Sequence, residues 1–292
     1  MSDPDRSLSP ADRIVAAYLV LTLPLLFLVD IPDRERWLMI AVHPAVVLGV
    51  FALRRSRFSG TRVGRILLDF YPLVFFGYLY AEVAVLNRAF FPDEYLDRII
   101  IDAEQALFGA QPAMDFRRVA PWPGVAEYLQ FCYFSYYLYT PSLALTIYIF
   151  HGRRDYHAAL GTLALTYLVG FLLFVFVPVG GPYYEFPRMN PNDFGWIMPR
   201  IVQTVLNQGS AIGTAFPSSH VSIGTTVWIM AMRYNRPLAV ALTFVVPGMA
   251  LGAVYGGYHY AIDAMAGAVL GILVCTVGHH YVRRAAVALY PS

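Results

Sequence analysis

Long runs of apolar residues, separated by polar loops, make up most of this chain. Eight of them are long enough, or nearly long enough, to cross a bilayer as a helix, which takes about 20 residues. They cover residues 12–29, 37–53, 66–86, 125–149, 158–178, 218–232, 238–255 and 260–281. Since no repeat or long linker divides the chain, we predict an all-α, polytopic membrane bundle in which residues 1–292 form a single domain.

Two longer segments between the apolar runs have a different pattern. Residues 88–124 contain apolar side chains at helical spacing between positions 96 and 107, with acids and polar residues at other positions. This pattern predicts an external amphipathic helix on the membrane surface. Residues 179–217 are rich in Gly, Pro, Tyr and Asn and lead directly into a polar motif, as a binding loop would.

Composition and charge agree with a membrane protein. Hydrophobic residues make up 58% of the chain and charged residues 14%, and the net charge is only +2. The basic residues are scattered over many loops, which argues against a nucleic-acid partner. Several of them gather in loops 54–65, 151–157 and 233–236, which the positive-inside rule assigns to the cytoplasm. We therefore expect an integral protein of the plasma membrane, with residues 88–124 and 179–217 on the non-cytoplasmic side.

Two polar motifs interrupt the apolar sequence near its C-terminal end. The first is Pro217-Ser218-Ser219-His220, and the second runs from His259 to Asp263. A helix starting near Pro217 would have a serine cap and free N–H groups, which bind phosphate well. His259 and Asp263 are four residues apart, so a helix would place them on one face. The first motif begins the span 218–232, and a short turn joins that span to the next one, 238–255. The second of these spans would bring the chain back to the membrane face where the first began, so both motifs would lie at the same face.

These residues provide the parts needed for phosphoryl transfer through a histidine. His259 would attack phosphorus, Asp263 would orient its ring, and His220 would protonate the leaving oxygen. The site faces the non-cytoplasmic side in this arrangement and requires no metal or cofactor. Candidates for binding the substrate are Ser218, Ser219, Arg188 and Tyr183.

The segments 213–220 and 255–263 resemble the motifs of the type 2 phosphatidic acid phosphatase superfamily, and are most similar to its inositol phosphorylceramide synthase branch. Weaker similarity extends over about 95–280. The resemblance implies that His220 is the acid, that His259 forms a phosphohistidine, and that residues 90–281 form the catalytic core. These residues contain five of the eight spans, so a core of six spans would include one earlier span. It implies a lipid phosphotransferase that takes a phosphorylated lipid as donor and a lipid alcohol or water as acceptor, in contact with membrane lipids.

Two departures from the phosphatase pattern separate this chain from simple phosphatases. Where those enzymes have Ser-Arg ahead of the nucleophile, this chain has Gly252 and Ala253. Their first motif, Lys-x6-Arg-Pro, is also missing, because Gly181 stands seven residues before Arg188 and a proline precedes that arginine. Both departures favour a head-group transferase and leave the phosphate-binding arginine open.

Other readings of the same residues remain at this point. The enzyme could be a lipid or polyprenyl phosphate phosphatase that uses water as acceptor. His220, His259 and Asp263 could instead bind zinc in a membrane hydrolase, or relay protons in a transporter. Two further acids lie in the third span: Asp69, which we expect to pair with Arg65, and Glu82, which we expect either to assist the site or to pack between helices.

Overall fold

The computed structural model describes residues 4–187, 190 and 194–290, and Arg188 lies outside these residues. Helices and loops account for the described part of the chain, with no β-strand in it. The all-α prediction is therefore confirmed. The helices are α1 Pro10–Thr22, α2 Asp33–Arg55, α3 Arg62–Leu86, α4 Asp97–Phe108, α5 Pro112–Val119, α6 Pro123–Phe134, α7 Tyr136–Phe150, α8 Gly152–Phe176, α9 Pro182–Glu185, α10 Met198–Gly209, α11 Ser219–Tyr234, α12 Arg236–Tyr255, α13 Ala261–Leu273 and α14 His279–Leu289.

Six of these helical segments are long and apolar enough to span a membrane. They are α1 with its 3-10 extension to Phe27, α2, α3, α8, α12, and the continuous segment of α13 and α14. Two further predicted spans have other forms. The first is divided into α6 and α7 at Ser135, and the second is α11, whose 16 residues extend only about 24 Å.

The short helices and long loops gather at one end of the bundle, which we call the loop-rich end. At this end α3 and α8 finish, and α11 and α13 begin. The hydroxyl of Tyr80 on α3 lies 3.0 Å from that of Thr214, just before α11, and the Ser218 N–H donates to the Asp263 carbonyl at 2.9 Å. Both sequence motifs therefore lie at the loop-rich end.

Close helix contacts hold α11 in the centre of the bundle, where it packs against α7, α8, α12 and α13. Two glycines permit the contact with α13. A Cβ on Gly267 would lie 2.5 Å from the Ser218 carbonyl oxygen, and one on Gly271 would lie 2.6 Å from that of Ser222. Only glycine allows the two backbones to approach this closely.

A buried ionic cluster joins the N-terminal helices to α8 at the opposite end. The expected partner of Asp69 was Arg65, and this prediction was wrong. Asp69 instead accepts two hydrogen bonds from Arg153 on α8, at 2.9 and 3.0 Å, and one from Arg54 on α2 at 3.4 Å. Arg54 also contacts Asp12 on α1 at 3.0 Å. Because charges inside a membrane protein need partners, this cluster fixes α1, α2 and α3 against the rest of the bundle.

The external segments contain more helix than the sequence pattern indicated. Residues 88–124 form two short helices, α4 and α5, and residues 179–217 contain α9 and the longer α10. Helix α4 is amphipathic as predicted, but its acids do not all face water: Asp97 and Glu104 are buried against the protein, while Ile99 and Leu107 are each 62% exposed. Its apolar side is therefore available to lipid.

Candidate active site

His259 lies in the loop between α12 and α13, and a backbone group fixes its ring. Its Nδ1 is 3.0 Å from the carbonyl oxygen of Ala215. Because a carbonyl oxygen only accepts hydrogen bonds, Nδ1 carries the proton and donates it. The lone pair is then on Nε2, which is the nitrogen able to attack an electrophile.

Asp263 supports His259, but from a position that differs from the predicted one. We expected both residues on one helix face, yet His259 precedes the N-cap residue Tyr260, and only Asp263 belongs to α13. Asp263 Oδ2 accepts the Tyr260 N–H at 2.8 Å and lies 3.6 Å from His259 Nδ1. The carboxylate is fully buried, so it can stabilise positive charge on the imidazole more strongly than it could in water.

His220, in the first turn of α11, faces His259 across the site. The two ring centroids are 6.3 Å apart. Aromatic rings of Tyr133 and Tyr136 hold His220, each with a centroid distance of 4.6 Å. Neither ring nitrogen of His220 has a hydrogen-bond partner among the described residues. A substrate oxygen can therefore be the partner of either nitrogen.

The two serines of the first motif have different environments. Ser218 is the N-cap of α11, and its Oγ accepts the Val221 N–H at 3.4 Å. Ser218 is also fully buried and does not line the cavity described below, so its hydroxyl acts on the helix rather than facing a ligand. Ser219 does line the cavity and remains a candidate for contact with the substrate.

A cavity of about 560 Å³ connects the site residues. His220, His259 and Ser219 lie on its wall, together with many aromatic side chains from α3, α6, α7 and α8. Its volume falls within the range of small-molecule binding sites. The cavity is thus large enough to take a phosphorylated ligand with part of an attached chain.

Tyr183, a predicted substrate-binding residue, also lines the cavity. Its hydroxyl donates to Asn207 Oδ1 at 3.0 Å and accepts from Gln203 Nε2 at 2.7 Å, so it ties α9 to α10 over the cavity. The role of Arg188 stays a prediction, since this residue lies outside the described part of the chain.

Two acids of α4 fix the loops of the site, which the sequence did not reveal. Asp97 accepts the N–H groups of Gly180 and Gly181 at 2.7 and 2.8 Å, and the Tyr260 hydroxyl at 2.9 Å. Burial and the neighbouring Asp97 raise the pKa of Tyr260, which keeps this hydroxyl a donor. Tyr260, which lies between His259 and Asp263, is thus held by an acid of another helix.

Glu104 binds the start of α13 directly. Its Oε1 accepts the N–H groups of Ala261 and Ile262 at 2.6 and 3.2 Å, which are first-turn donors without a partner inside the helix. Burial raises the pKa of Glu104, and the two backbone donors oppose that rise. A signal was present in the sequence: Asp97, Ile100 and Glu104 follow helical spacing, so two acids share a face with an apolar residue.

A third acid, Glu127 on α6, holds α10 in the same way. It accepts the N–H groups of Trp196, Ile197 and Met198 at 2.5, 2.7 and 3.1 Å. The sequence interpretation treated 179–217 as a loop and missed α10. Apolar residues at 201, 202, 205 and 206 give the helical spacing that could have revealed it.

Glu82 does not belong to this site. It is buried between α2 and α3, where its Oε1 is 3.7 Å from Nδ1 of His43 and 3.4 Å from the Tyr78 hydroxyl. It is not among the residues that line the cavity. Of the two roles expected for Glu82, the structure supports contact between helices.

The zinc alternative gains no support from the geometry. Over residues 4–187, 190 and 194–290, no group of three or more His, Cys, Asp or Glu side chains is arranged to hold a metal ion. His259 and Asp263 approach each other most closely at Nδ1 and Oδ2. Both of these atoms already bind backbone groups, so neither is free to bind zinc.

Comparison with known proteins decides the family. Residues 98–282 match the sequence model of the PAP2 superfamily, which covers more than half of the chain. The chain belongs to the PAP2 superfamily. No curated protein and no solved structure matches it. The PAP2 match begins one residue after Asp97, so it includes the rest of α4 with Glu104, and it also includes His220, His259 and Asp263, whereas α1, α2 and α3 lie outside it.

Membership in the PAP2 superfamily establishes the class of the protein. It is an integral membrane protein of the lipid phosphatase and phosphotransferase type.

Proposed function

We propose that this PAP2 protein transfers a phosphoryl or phospho-head-group from a phosphorylated lipid to a lipid alcohol, with His259 as the nucleophile. The observation that carries the proposal is the bond from His259 Nδ1 to the Ala215 carbonyl, because it leaves the Nε2 lone pair on a residue that lines the cavity shared with His220. The residue roles follow the superfamily resemblance of the two motifs.

The first half of the reaction forms a covalent intermediate. Nε2 of His259 attacks phosphorus, the bond from phosphorus to the ester oxygen breaks, and protonated His220 donates its proton to that oxygen. The product alcohol leaves, and a phosphohistidine remains. The imidazole of His259 becomes positively charged, and Asp263 at 3.6 Å stabilises this charge.

The second half regenerates the enzyme. An alcohol oxygen attacks the phosphorus, neutral His220 takes the proton from that oxygen, and the bond from phosphorus to nitrogen breaks. Ser219 and N–H groups at the start of α11 are placed to bind phosphoryl oxygens, since helix N-termini favour anions. Charge from Arg188 would add to this binding.

The packing around Gly252 and Ala253 favours the inositol phosphorylceramide synthase-like branch over simple phosphatases. Phosphatases of the superfamily have Ser-Arg at these positions. Here a Cβ on Gly252 would lie 2.4 Å from the Leu129 carbonyl oxygen, and Ala253 is fully buried. The serine position thus lies against the backbone of α6, and the arginine position has a buried alanine, so α12 supplies no positive charge to phosphate at these two positions.

The decisive experiment tests the covalent intermediate. Purified protein is incubated with a radiolabelled phospholipid donor, quenched in base, and assayed for label that acid releases. We expect label on the unsubstituted protein and none on His259→Ala, with turnover lost as well. The Tyr281→Ala variant, which changes an exposed residue of α14, serves as the matched control. Full turnover by His259→Ala would overturn the proposal.

Product analysis separates the transferase from the phosphatase. The same donor is supplied with and without a long-chain alcohol. A new phosphorylated lipid that depends on the alcohol supports transfer, whereas inorganic phosphate as the sole product would identify a lipid or polyprenyl phosphate phosphatase with water as acceptor. Transport of a substrate without cleavage would support the transporter alternative.

A further inference from the structure

The bond from His259 to the Ala215 carbonyl depends on the position of residues 211–215, which we call the 211–215 segment. The segment lies between α10 and α11 and belongs to neither helix. Contacts from other parts of the chain must therefore hold it in place. One of them is a backbone bond, in which the Ala215 N–H donates to the Val179 carbonyl at 2.9 Å.

Helix α3 supplies further contacts to this segment, although it lies outside the PAP2 match. The Tyr80 hydroxyl accepts the Ala211 N–H at 3.4 Å and lies 3.0 Å from Thr214 Oγ1. Because the Thr214 hydroxyl donates to the Ala211 carbonyl at 2.6 Å, Tyr80 is the donor in its contact with Thr214. One hydroxyl of α3 thus binds both the first and the fourth residue of the segment.

Asn87, the C-cap residue of α3, binds the middle of the segment. It is fully buried, and its Nδ2 donates to the Ile212 carbonyl at 2.8 Å. The contact is close, because a Cβ on Gly213 would lie only 2.2 Å from Asn87 Nδ2. Gly213 also has a φ of +83°, a conformation that favours glycine. The backbone of the segment therefore lies directly against the Asn87 amide.

Asn87 acts at a distance from the substrate. Among the described residues, Tyr80 lines the cavity and Asn87 does not. The Ile212 carbonyl is three residues before Ala215, so a shift of the segment at Ile212 would also move the Ala215 carbonyl. The bond from His259 to that carbonyl is 3.0 Å long, and a displacement of about 1 Å would break it.

We propose that Asn87 is a positioning residue for the nucleophile. Through the 211–215 segment it holds the Ala215 carbonyl where this carbonyl fixes the Nδ1–H tautomer of His259, and Tyr80 assists from the cavity wall. The catalytic consequence rests on the proposed function. The inference gives the end of α3, outside the PAP2 match, a part in the reaction.

Loss of the Ala215 bond would change the role of Asp263. Its Oδ2 lies 3.6 Å from Nδ1 of His259 and is the next acceptor for this N–H. The effect of Asp263→Asn should therefore depend on Asn87. We expect Asp263→Asn to lower kcat about 10- to 100-fold in the unsubstituted protein, but about 10³-fold or more in the Asn87→Leu background, where the carboxylate would have to select the tautomer.

The test is a double-mutant cycle, measured as single-turnover formation of the phosphohistidine in Asn87→Leu, Asp263→Asn and the combined variant. Asn235→Ala takes the place of Asn87→Leu in a matched control cycle, because Asn235 caps α12 at the opposite end of the bundle and its loss also destabilises a helix end. An Asp263→Asn factor that is equal with and without Asn87→Leu would contradict the proposal. If Asn87→Leu fails to fold, Tyr80→Phe removes a single hydroxyl and should give the same dependence.

A second measurement does not require turnover. Nuclear magnetic resonance of protein labelled at the histidine nitrogens reports which ring nitrogen carries the proton, and the signal missing from His259→Ala belongs to His259. We expect the Nδ1–H tautomer in the unsubstituted protein and a mixture of tautomers when Asn87→Leu and Asp263→Asn are combined. An unchanged tautomer in the combined variant would overturn the proposal. If the unsubstituted protein shows the Nδ1–H tautomer but forms no phosphohistidine and transfers no head group, the proposed function fails while the positioning by Asn87 stands.

Discussion

The ring of His259 shows how one residue can be prepared for catalysis by a backbone group. In many histidine-based sites, a carboxylate accepts the bond from the ring N–H and so selects the tautomer. Here the Ala215 carbonyl accepts that bond at 3.0 Å, and Asp263 lies further away at 3.6 Å. The two tasks are therefore divided: Ala215 fixes the tautomer, and Asp263 contributes negative charge.

This division predicts a moderate effect for Asp263→Asn. The asparagine oxygen can still accept the Tyr260 N–H, so the fold should persist, and the Ala215 carbonyl should keep His259 in its reactive tautomer. We expect kcat to fall about 10- to 100-fold, less than the roughly 10⁴-fold loss in sites where the carboxylate selects the tautomer. Single-turnover kinetics of phosphohistidine formation measure the effect. A loss equal to that of His259→Ala would show that Asp263 selects the tautomer.

At the scale of the elements, three carboxylates hold helix starts that belong to other parts of the chain. Asp97 binds the start of α9, Glu104 binds the start of α13, and Glu127 binds the start of α10. The first turn of a helix has N–H groups without intrahelical partners and a partial positive charge, so a carboxylate is the natural acceptor. The loops around the catalytic residues are positioned in this way from outside.

Glu104 provides a direct test of this positioning. Glu104→Ala removes the acceptor from two half-buried N–H groups and should destabilise the protein by about 1–3 kcal/mol. We expect a lower Tm and a lower kcat, because α13 carries Asp263 and directly follows His259. Thermal unfolding in detergent, followed together with turnover, measures both.

Two variants make the Glu104 result specific. Glu104→Gln retains an oxygen for the Ala261 and Ile262 N–H groups, so it should recover most of the stability. Asp102→Ala removes an exposed acid from the same helix. The only ion pair of Asp102 among the described residues is its exposed contact with Arg98, so this variant should change Tm and kcat little. Equal losses in Glu104→Ala and Asp102→Ala would contradict a role for Glu104 at α13.

The close contact between α11 and α13 is a second property of the elements that can be tested. Gly267→Ala would force the helices apart, because its Cβ would lie 2.5 Å from the Ser218 carbonyl oxygen. We expect a loss of about 1–3 kcal/mol of stability, as for other overpacked contacts. Gly49→Ala, with no atom within 4 Å of its Cβ, should be neutral or stabilising by up to about 1 kcal/mol. The Tm values of the two variants measure the difference. A Gly267→Ala variant as stable as Gly49→Ala would refute the close packing of α11 and α13.

At the scale of the whole molecule, apolar patterning was enough to predict an all-helical bundle with both motifs at the same end. It could not reveal that α6 and α7 are separate helices, since Ser135 lies in the middle of a mainly apolar run. Helical spacing puts Asp97 and Glu104 on the same face as Ile100, but it could not show that these acids bind N–H groups of α9 and α13, because only the tertiary structure brings those groups near them. The bond from His259 to Ala215 was equally hidden, as it joins residues 44 positions apart.

The distribution of charge between the two ends of the bundle predicts its orientation in the membrane. Arg54, Arg55 and Arg57 lie at the end opposite the catalytic residues, and the positive-inside rule assigns that end to the cytoplasm. Glu94 is exposed at the loop-rich end, and Arg57 is exposed at the opposite end. Single cysteines at these two positions therefore report the two sides.

We expect a membrane-impermeant maleimide to label Glu94→Cys in intact cells and to label Arg57→Cys only after permeabilisation. The unsubstituted protein gives the background, which should be low because Cys132 is buried and Cys275 is half-buried within an apolar helix. One lost arginine leaves most of the basic end unchanged, so the substitution should not reverse the topology. The opposite labelling pattern would place the histidines on the cytoplasmic side, and the donor lipid would then have to come from the inner leaflet.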